Sequence, residues 1–221
     1  MSETSISNSM SVNHQLLVMA LGRGISHGGV LTPESKLNAR YAALFAAIWN
    51  APLLLSGNNP DGTDDYQFSE AFAMAKYIQG LYPDWYESWT PNISLDQTPD
   101  STFKNISGLS RKLNRGEIYP FIQEVVLVAG EEQLRRALGI TAQCAMFNSI
   151  SVWGFPSYGE PLKERIVEKV LTRIALFATK VIEPYSPDRL DQAGSLYQWM
   201  IAPVKAPLER TGIHSGRRNT P

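Results

Sequence analysis

Glu124-Val125-Val126-Leu127-Val128-Ala129, followed at once by Gly130 and Glu131, is the stretch on which the fold turns. From Val125 onward it is apolar without alternation, which is the pattern of a strand covered on both faces rather than one with a wet side. A glycine directly behind it and acids at 131 and 132 open a helix expected to run from Glu131 to about Leu138. The same unit recurs in both directions along the chain. Upstream, Leu16 to Leu21 is a short apolar run ending at Gly22, and Thr32-Pro33-Glu34 starts a helix with Leu37, Tyr41, Leu44, Phe45 and Ile48 as its apolar face. Pro52 to Leu55 is a second strand, halted by the turn residues Ser56-Gly57-Asn58-Asn59-Pro60. Ser69 caps a helix to about Gln79, with Phe72, Ala75 and Tyr77 to Ile78 inward, and Asn92 to Leu95 is a weak third strand ending at Asp96. Asp100-Ser101 caps a further helix carrying Ile106, Leu109 and Leu113. Downstream, Ser149 to Trp153 reads as a fifth strand, and Leu162 to Val181 as a long helix with Ile166, Val170, Ile174 and Phe177 in register. Only Leu81 to Thr90, with two Trp, two Tyr and a Pro, is open between an aromatic flap and packed loop.

Repeated strand–helix alternation requires crossovers, so the expected class is α/β: a doubly wound, mostly parallel sheet of five or more strands with helices on both faces, Rossmann-like. At 221 residues one domain is the default. Residues 1–13 are expected to be a flexible lead, 14–182 the α/β domain, and 183–221 an extension with one short helix around Asp188 to Ile201 and a disordered end. Composition is ordinary, with 43% hydrophobic and 19% charged residues, which excludes disorder, collagen and coiled coil as the overall class. A net charge of −1 gives no global attraction to nucleic acid or an anionic bilayer, so any anion site must be local. The lone Cys144 is expected to be a packed thiol, and the absence of a signal-like start or an 18-residue apolar run points to a cytoplasmic protein without a membrane span. Trp85, Tyr86 and Trp89 have no basic neighbours that would make them a base-stacking platform, so no nucleic-acid partner is expected.

In an open α/β sheet, ligands settle outside the carboxyl ends of the strands, where helix N-termini face the crevice. Those ends carry Gly22-Arg23-Gly24, Ser56-Gly57-Asn58, Asp96 and Gly130-Glu131. The glycines suit a backbone cradle for phosphate or carboxylate, with Arg23 and His27 as extra donors, or simply a tight connecting loop. The third glycine falls one or two places late and no acidic residue ends the second strand, so this is not read as a nicotinamide site. Arg40 shares a helix face with Leu37, Tyr41 and Leu44, so its guanidinium needs an acceptor: Glu70, Asp96 or a ligand. Glu70 opens a helix, where a carboxylate is favoured whether or not it reacts. Thr102 with Asn105, and Gln133 with Arg136, are pairs three residues apart that point into the crevice or lie on solvated faces.

Leu21-Gly22, Arg40, Ser56-Gly57, Ser69-Glu70-Ala71, Asp96, Thr102 with Asn105, and Val128 through Arg136-Ala137 resemble, in this order, the YdcF/SanA/ElyC-like family of bacterial domains. The resemblance covers about Leu16 to Ile182. It implies a Rossmann-like sheet with a polar cleft, and an association with envelope physiology or S-adenosylmethionine-type nucleotide binding. Its ligand-facing positions would be Gly22, Gly24, Arg40, Ser56, Gly57, Glu70, Asp96, Thr102, Asn105 and Arg136. Two departures stand out: Gln133 replaces the family's histidine, and Ala129-Gly130 replaces its Thr-Ser. A glutamine cannot serve as general acid or base near neutral pH.

The expected ligand is a small anionic metabolite, a nucleotide or other phosphorylated compound, held by the glycine loops with Arg40 and Arg136 balancing charge. Hydrolysis or transfer at a phosphoryl-linked group would use Glu70 or Asp96 as base or as a ligand for Mg²⁺. The alternatives are a non-catalytic binding or sensory domain and an S-adenosylmethionine-dependent protein.

Overall fold

Every strand foreseen from apolar runs takes its place in one parallel sheet in the computed structural model, which describes residues 12, 13, 15–25, 29–58, 69–118, 121–159 and 162–210. β1 (Leu16–Leu21), β2 (Leu53–Ser56), β3 (Ile93–Asp96), β4 (Glu124–Ala129) and β5 (Ser151–Pro156) lie in the order β3-β2-β1-β4-β5. All pairings are parallel, with Val18 opposite Leu53 on one side and Val126 on the other. The fold is therefore Rossmann-like. The chain steps from β1 outward to β2 and β3, then returns past β1 to β4 and β5, so the direction of winding reverses between β1 and β4. A crevice opens there at the carboxyl ends of the strands.

Unbroken apolar runs are needed because both sheet faces are covered. Leu17, Met19, Leu21, Val125 and Leu127 join one core with α4 (Thr102–Asn114), α5 (Glu131–Thr141), α6 (Leu162–Ile182) and α7 (Pro187–Arg210). Leu16, Val18, Ala20, Val126 and Val128 join the other with α1 (Pro33–Trp49) and α2 (Glu70–Leu81). Caps fall where the sequence sets them: Thr32 Oγ1 accepts from Ser35 N at 3.2 Å, and Ser69 Oγ from Phe72 N at 3.1 Å. Ser101 does the same for α4.

Two helices present a different face from the expected one. On α1 the residues against the sheet are Ser35, Asn38, Ala39, Ala42, Ala43 and Ala46, whereas Leu44 and Ile48 are 44% and 63% exposed. Small side chains let the helix come close to a sheet already crowded with Leu and Val, and the bulky ones are pushed aside. There they form an aromatic flank: Phe45 meets Phe155 at 4.6 Å between ring centres, and Trp49 meets Trp153 at 5.6 Å. On α6 the buried residues are Glu168, Leu171, Ala175, Ala178 and Thr179, while Ile166, Val170 and Phe177 are exposed.

The unreadable stretch after α2 is helical, α3 (Pro83–Trp89), with Trp85 stacked on Trp89 and Trp89 Nε1 donating to Ala51 O at 3.3 Å. β5 begins two residues later than expected, because a short 3-10 turn at Ala145–Phe147 and the bend behind it occupy the preceding positions. The short helix expected near the C-terminus is the 24-residue α7, which buries Leu190, Ala193, Tyr197 and Ile201. Cys144 is buried, donates to Ile140 O at 3.0 Å and has its thiol pushed up to about 12 by burial, so it is an unreactive packing group. Among the described residues no helix is long and apolar enough to cross a membrane.

Candidate functional site

A cavity of about 240 Å³ opens at the winding reversal, walled by the loop after β1 (Gly22 to Gly24), the loop after β2 (Gly57, Asn58), Glu70, the entry to α4, and Gln133 with Arg136 of α5. Loops following β1, β2 and β3 thus converge on one place with Gln133 and Arg136 of α5, the helix that follows β4.

Glu70 organises it. Ser69 caps α2 and so fixes the first helical residue beneath the β1 and β2 loops, where the Glu70 carboxylate lies 6% exposed. Its Oε1 accepts from Arg23 N at 2.7 Å, Gly24 N at 2.6 Å and Ser35 Oγ at 2.5 Å. Its Oε2 has no hydrogen-bond partner among the described residues and is not one of the sealed, unpartnered atoms, so it is the oxygen left open toward the cavity. Burial raises the Glu70 pKa above its ordinary value of 4.5, outweighing the three donors and the Arg23 charge. Because those donors hold Oε1, a proton taken up by this carboxyl goes to Oε2. The two neighbouring glycines follow from the same carboxylate: a Cβ on Gly22 would overlap its oxygens, and one on Gly57 would come within 2.8 Å of Oε2.

This corrects the expected backbone cradle. The amides of Arg23 and Gly24 are engaged by Glu70, Gly22 N donates to Ser56 O at 2.8 Å, and Gly57 N to Asp96 O at 2.9 Å. An internal carboxylate occupies the place where a ligand anion was expected, and the cationic part of the site comes from side chains.

Arg136 is 8% exposed; it donates through Nε to Thr102 Oγ1 at 3.2 Å and through Nη1 to Glu168 Oε2 at 2.6 Å. Its Nη2 has no protein partner among the described residues. Arg23 Nη1 donates to the other oxygen of Glu168 at 3.1 Å. Asn105 Oδ1 accepts from Ser56 Oγ at 2.8 Å, leaving its amide group at the cavity wall, while Gln133 Nε2 ties α5 to Gly22 O at 2.8 Å.

Gly22, Arg23, Gly24, Gly57, Asn58, Glu70, Thr102, Asn105, Gln133 and Arg136 therefore all line one cavity. Four expected residues do not. Arg40 is exposed on α1 and pairs with neither Glu70 nor Asp96, because the helix turns its small residues, not this face, toward the sheet. Ser56 is fully buried behind Asn105. Gly130 is the buried N-cap of α5 and stays outside the wall. Asp96 turns away toward α4: Oδ1 accepts from Thr98 Oγ1 at 3.2 Å, and Oδ2 lies where a Cβ on Gly108 would come within 2.5 Å. Desolvation raises its pKa, and its Oδ2 lacks a hydrogen-bond partner among the described residues. His27 lies outside the described residues. Ser35 and Glu168, both less than 2% exposed, complete the network without having been expected. Among the described residues no group of three or more His, Cys, Asp or Glu is arranged to hold a metal ion.

No protein-family model, no curated protein and no solved structure matches this chain.

Proposed function

We propose that the cavity binds a small phosphorylated metabolite, with Arg136 and Arg23 meeting the phosphoryl oxygens and Glu70 serving as general base or acid. The carrying observation is the convergence of two guanidiniums and one buried carboxyl with an unengaged oxygen on a single cavity. An Nη2 without a protein partner is a donor suited to an anionic oxygen. A carboxyl whose pKa burial raises above its ordinary value holds a proton more readily than a free one and is suited to proton exchange with a ligand. In hydrolysis, Glu70 Oε2 takes a proton from water as its oxygen bonds to phosphorus, the bond to the leaving oxygen breaks, and the leaving group receives that proton. In transfer, a hydroxyl replaces the water. A Mg²⁺ would arrive with the ligand. The cavity volume, below the usual 300–1,000 Å³ of ligand pockets, favours a sugar phosphate or the phosphate end of a nucleotide over S-adenosylmethionine. The resemblance of the chain to YdcF/SanA/ElyC-like proteins, which implies a polar, nucleotide-type cleft, favours the same reading.

A non-catalytic sensory domain is the second reading, favoured by Gln133, which tethers Gly22 and offers no titratable group. Thermal-shift and calorimetric titrations with inorganic phosphate, ribose 5-phosphate and nucleoside monophosphates, each with and without Mg²⁺, test both. Phosphate-bearing compounds are expected to raise the melting temperature, and Arg136→Gln to weaken binding about tenfold or more, the scale of a lost charged hydrogen bond. A wild-type protein unmoved by every anion would overturn the proposal, and binding without turnover in all cases would favour the sensory reading.

A further inference from the structure

Glu168 is 1% exposed on α6, and its carboxylate is divided between the two arginines of the cavity. Oε1 takes Arg23 Nη1 at 3.1 Å and Oε2 takes Arg136 Nη1 at 2.6 Å. A carboxylate bridging two guanidiniums occupies the same kind of donors that a phosphate would, but from inside the protein. Its position also fixes their spacing, because a terminal nitrogen of each arginine rests on one of its oxygens. Tyr197 of α7 is buried and lies within the electrostatic reach of all three groups.

We infer that Glu168 is a built-in counterion: it holds Arg23 and Arg136 as a pair and opposes a bound phosphate, so that it sets the anion affinity of the cavity. This rests on the cavity being an anion site. Glu168 is thus a positioning residue, and one whose carboxylate lowers affinity while balancing the buried Arg136 and the half-buried Arg23.

Calorimetric titration of inorganic phosphate into wild type, Glu168→Gln, Arg23→Gln and the Arg23→Gln/Glu168→Gln double variant tests this. Removing the buried negative charge is expected to tighten phosphate binding about tenfold, and removing Arg23 to weaken it by a similar factor, as a unit charge several ångströms away does in a protein interior. The double variant restores the net charge and should bind within about threefold of wild type. A purely structural Glu168 predicts otherwise: weaker binding in Glu168→Gln, and a double variant worse than either single one. Either result overturns the inference. If Glu168→Gln does not fold alone, the charge-balanced double variant against Arg23→Gln carries the comparison. A wild type that ignores phosphate sinks the anion site and this inference together, whereas a responsive wild type with unchanged affinity in Glu168→Gln sinks the inference alone.

Discussion

Glu70 couples the chemistry of the cavity to the pH dependence of folding. Its folded pKa lies above its ordinary value of 4.5, chiefly through burial, so the folded protein holds the proton more tightly than the unfolded chain. The stability this contributes is full below pH 4.5 and is lost as pH rises through the folded value. Glu70→Gln keeps an oxygen for the donors at Arg23, Gly24 and Ser35 and removes the ionisation. Its melting temperature relative to wild type should therefore climb from about pH 4.5 upward and level off once wild-type Glu70 is ionised, while any turnover disappears. A difference that is flat or falls with pH would contradict the raised pKa. Gly22, Gly57 and Glu70 were legible because residues at strand ends and first helical turns have positions that the topology dictates. Glu168 was not: it sits in a helix 145 residues from Arg23, and nothing local distinguishes a buried glutamate from a solvated one. Arg40 was misplaced for the complementary reason, since its assignment rested on which helix face is buried.

Helix faces are where period and packing part company. The apolar period of α1 is genuine, yet the alanine stripe is what meets the sheet, because strands made of Leu and Val leave room only for small residues on a close-packed helix. Sequence period reports that a helix is amphipathic; it does not say whether bulk or closeness wins at the contact. The two assignments give opposite mutational patterns. Ala42→Leu, at a position with no exposure, should cost about 1–3 kcal/mol through overpacking, whereas Ile48→Gln, at 63% exposure, should stay within about 0.5 kcal/mol of wild type. Urea unfolding of both variants settles which face is buried, and a larger loss from Ile48→Gln would reinstate the original face. Strands were more transparent, because a sheet covered on both sides demands apolar residues at successive positions and leaves little choice of register.

At the scale of the molecule, α7 decides what counts as the folding unit. Composition set the chain after Ile182 apart as an extension, since its prolines and scattered charges hide the Leu190, Ala193, Tyr197 and Ile201 spacing that packs it into the same core as β1 and β4. Phe103 of α4 meets Tyr197 at 5.3 Å between ring centres, and Gly194 gives that ring room, so α4 is finished only when α7 is in place. Burying Leu190, Tyr197 and Ile201 is worth roughly 5–9 kcal/mol by area, comparable with the whole stability of a typical domain. A chain ending at Ile182 should therefore lose its cooperative urea transition and its near-ultraviolet circular dichroism, and with them any phosphate response, because α7 packs on α4 and α6, the helices that carry Thr102 and Glu168. Should the shortened chain instead unfold cooperatively with nearly unchanged stability, α7 would be an appendage, and the arginine pair would have to be held by α5 and α6 alone.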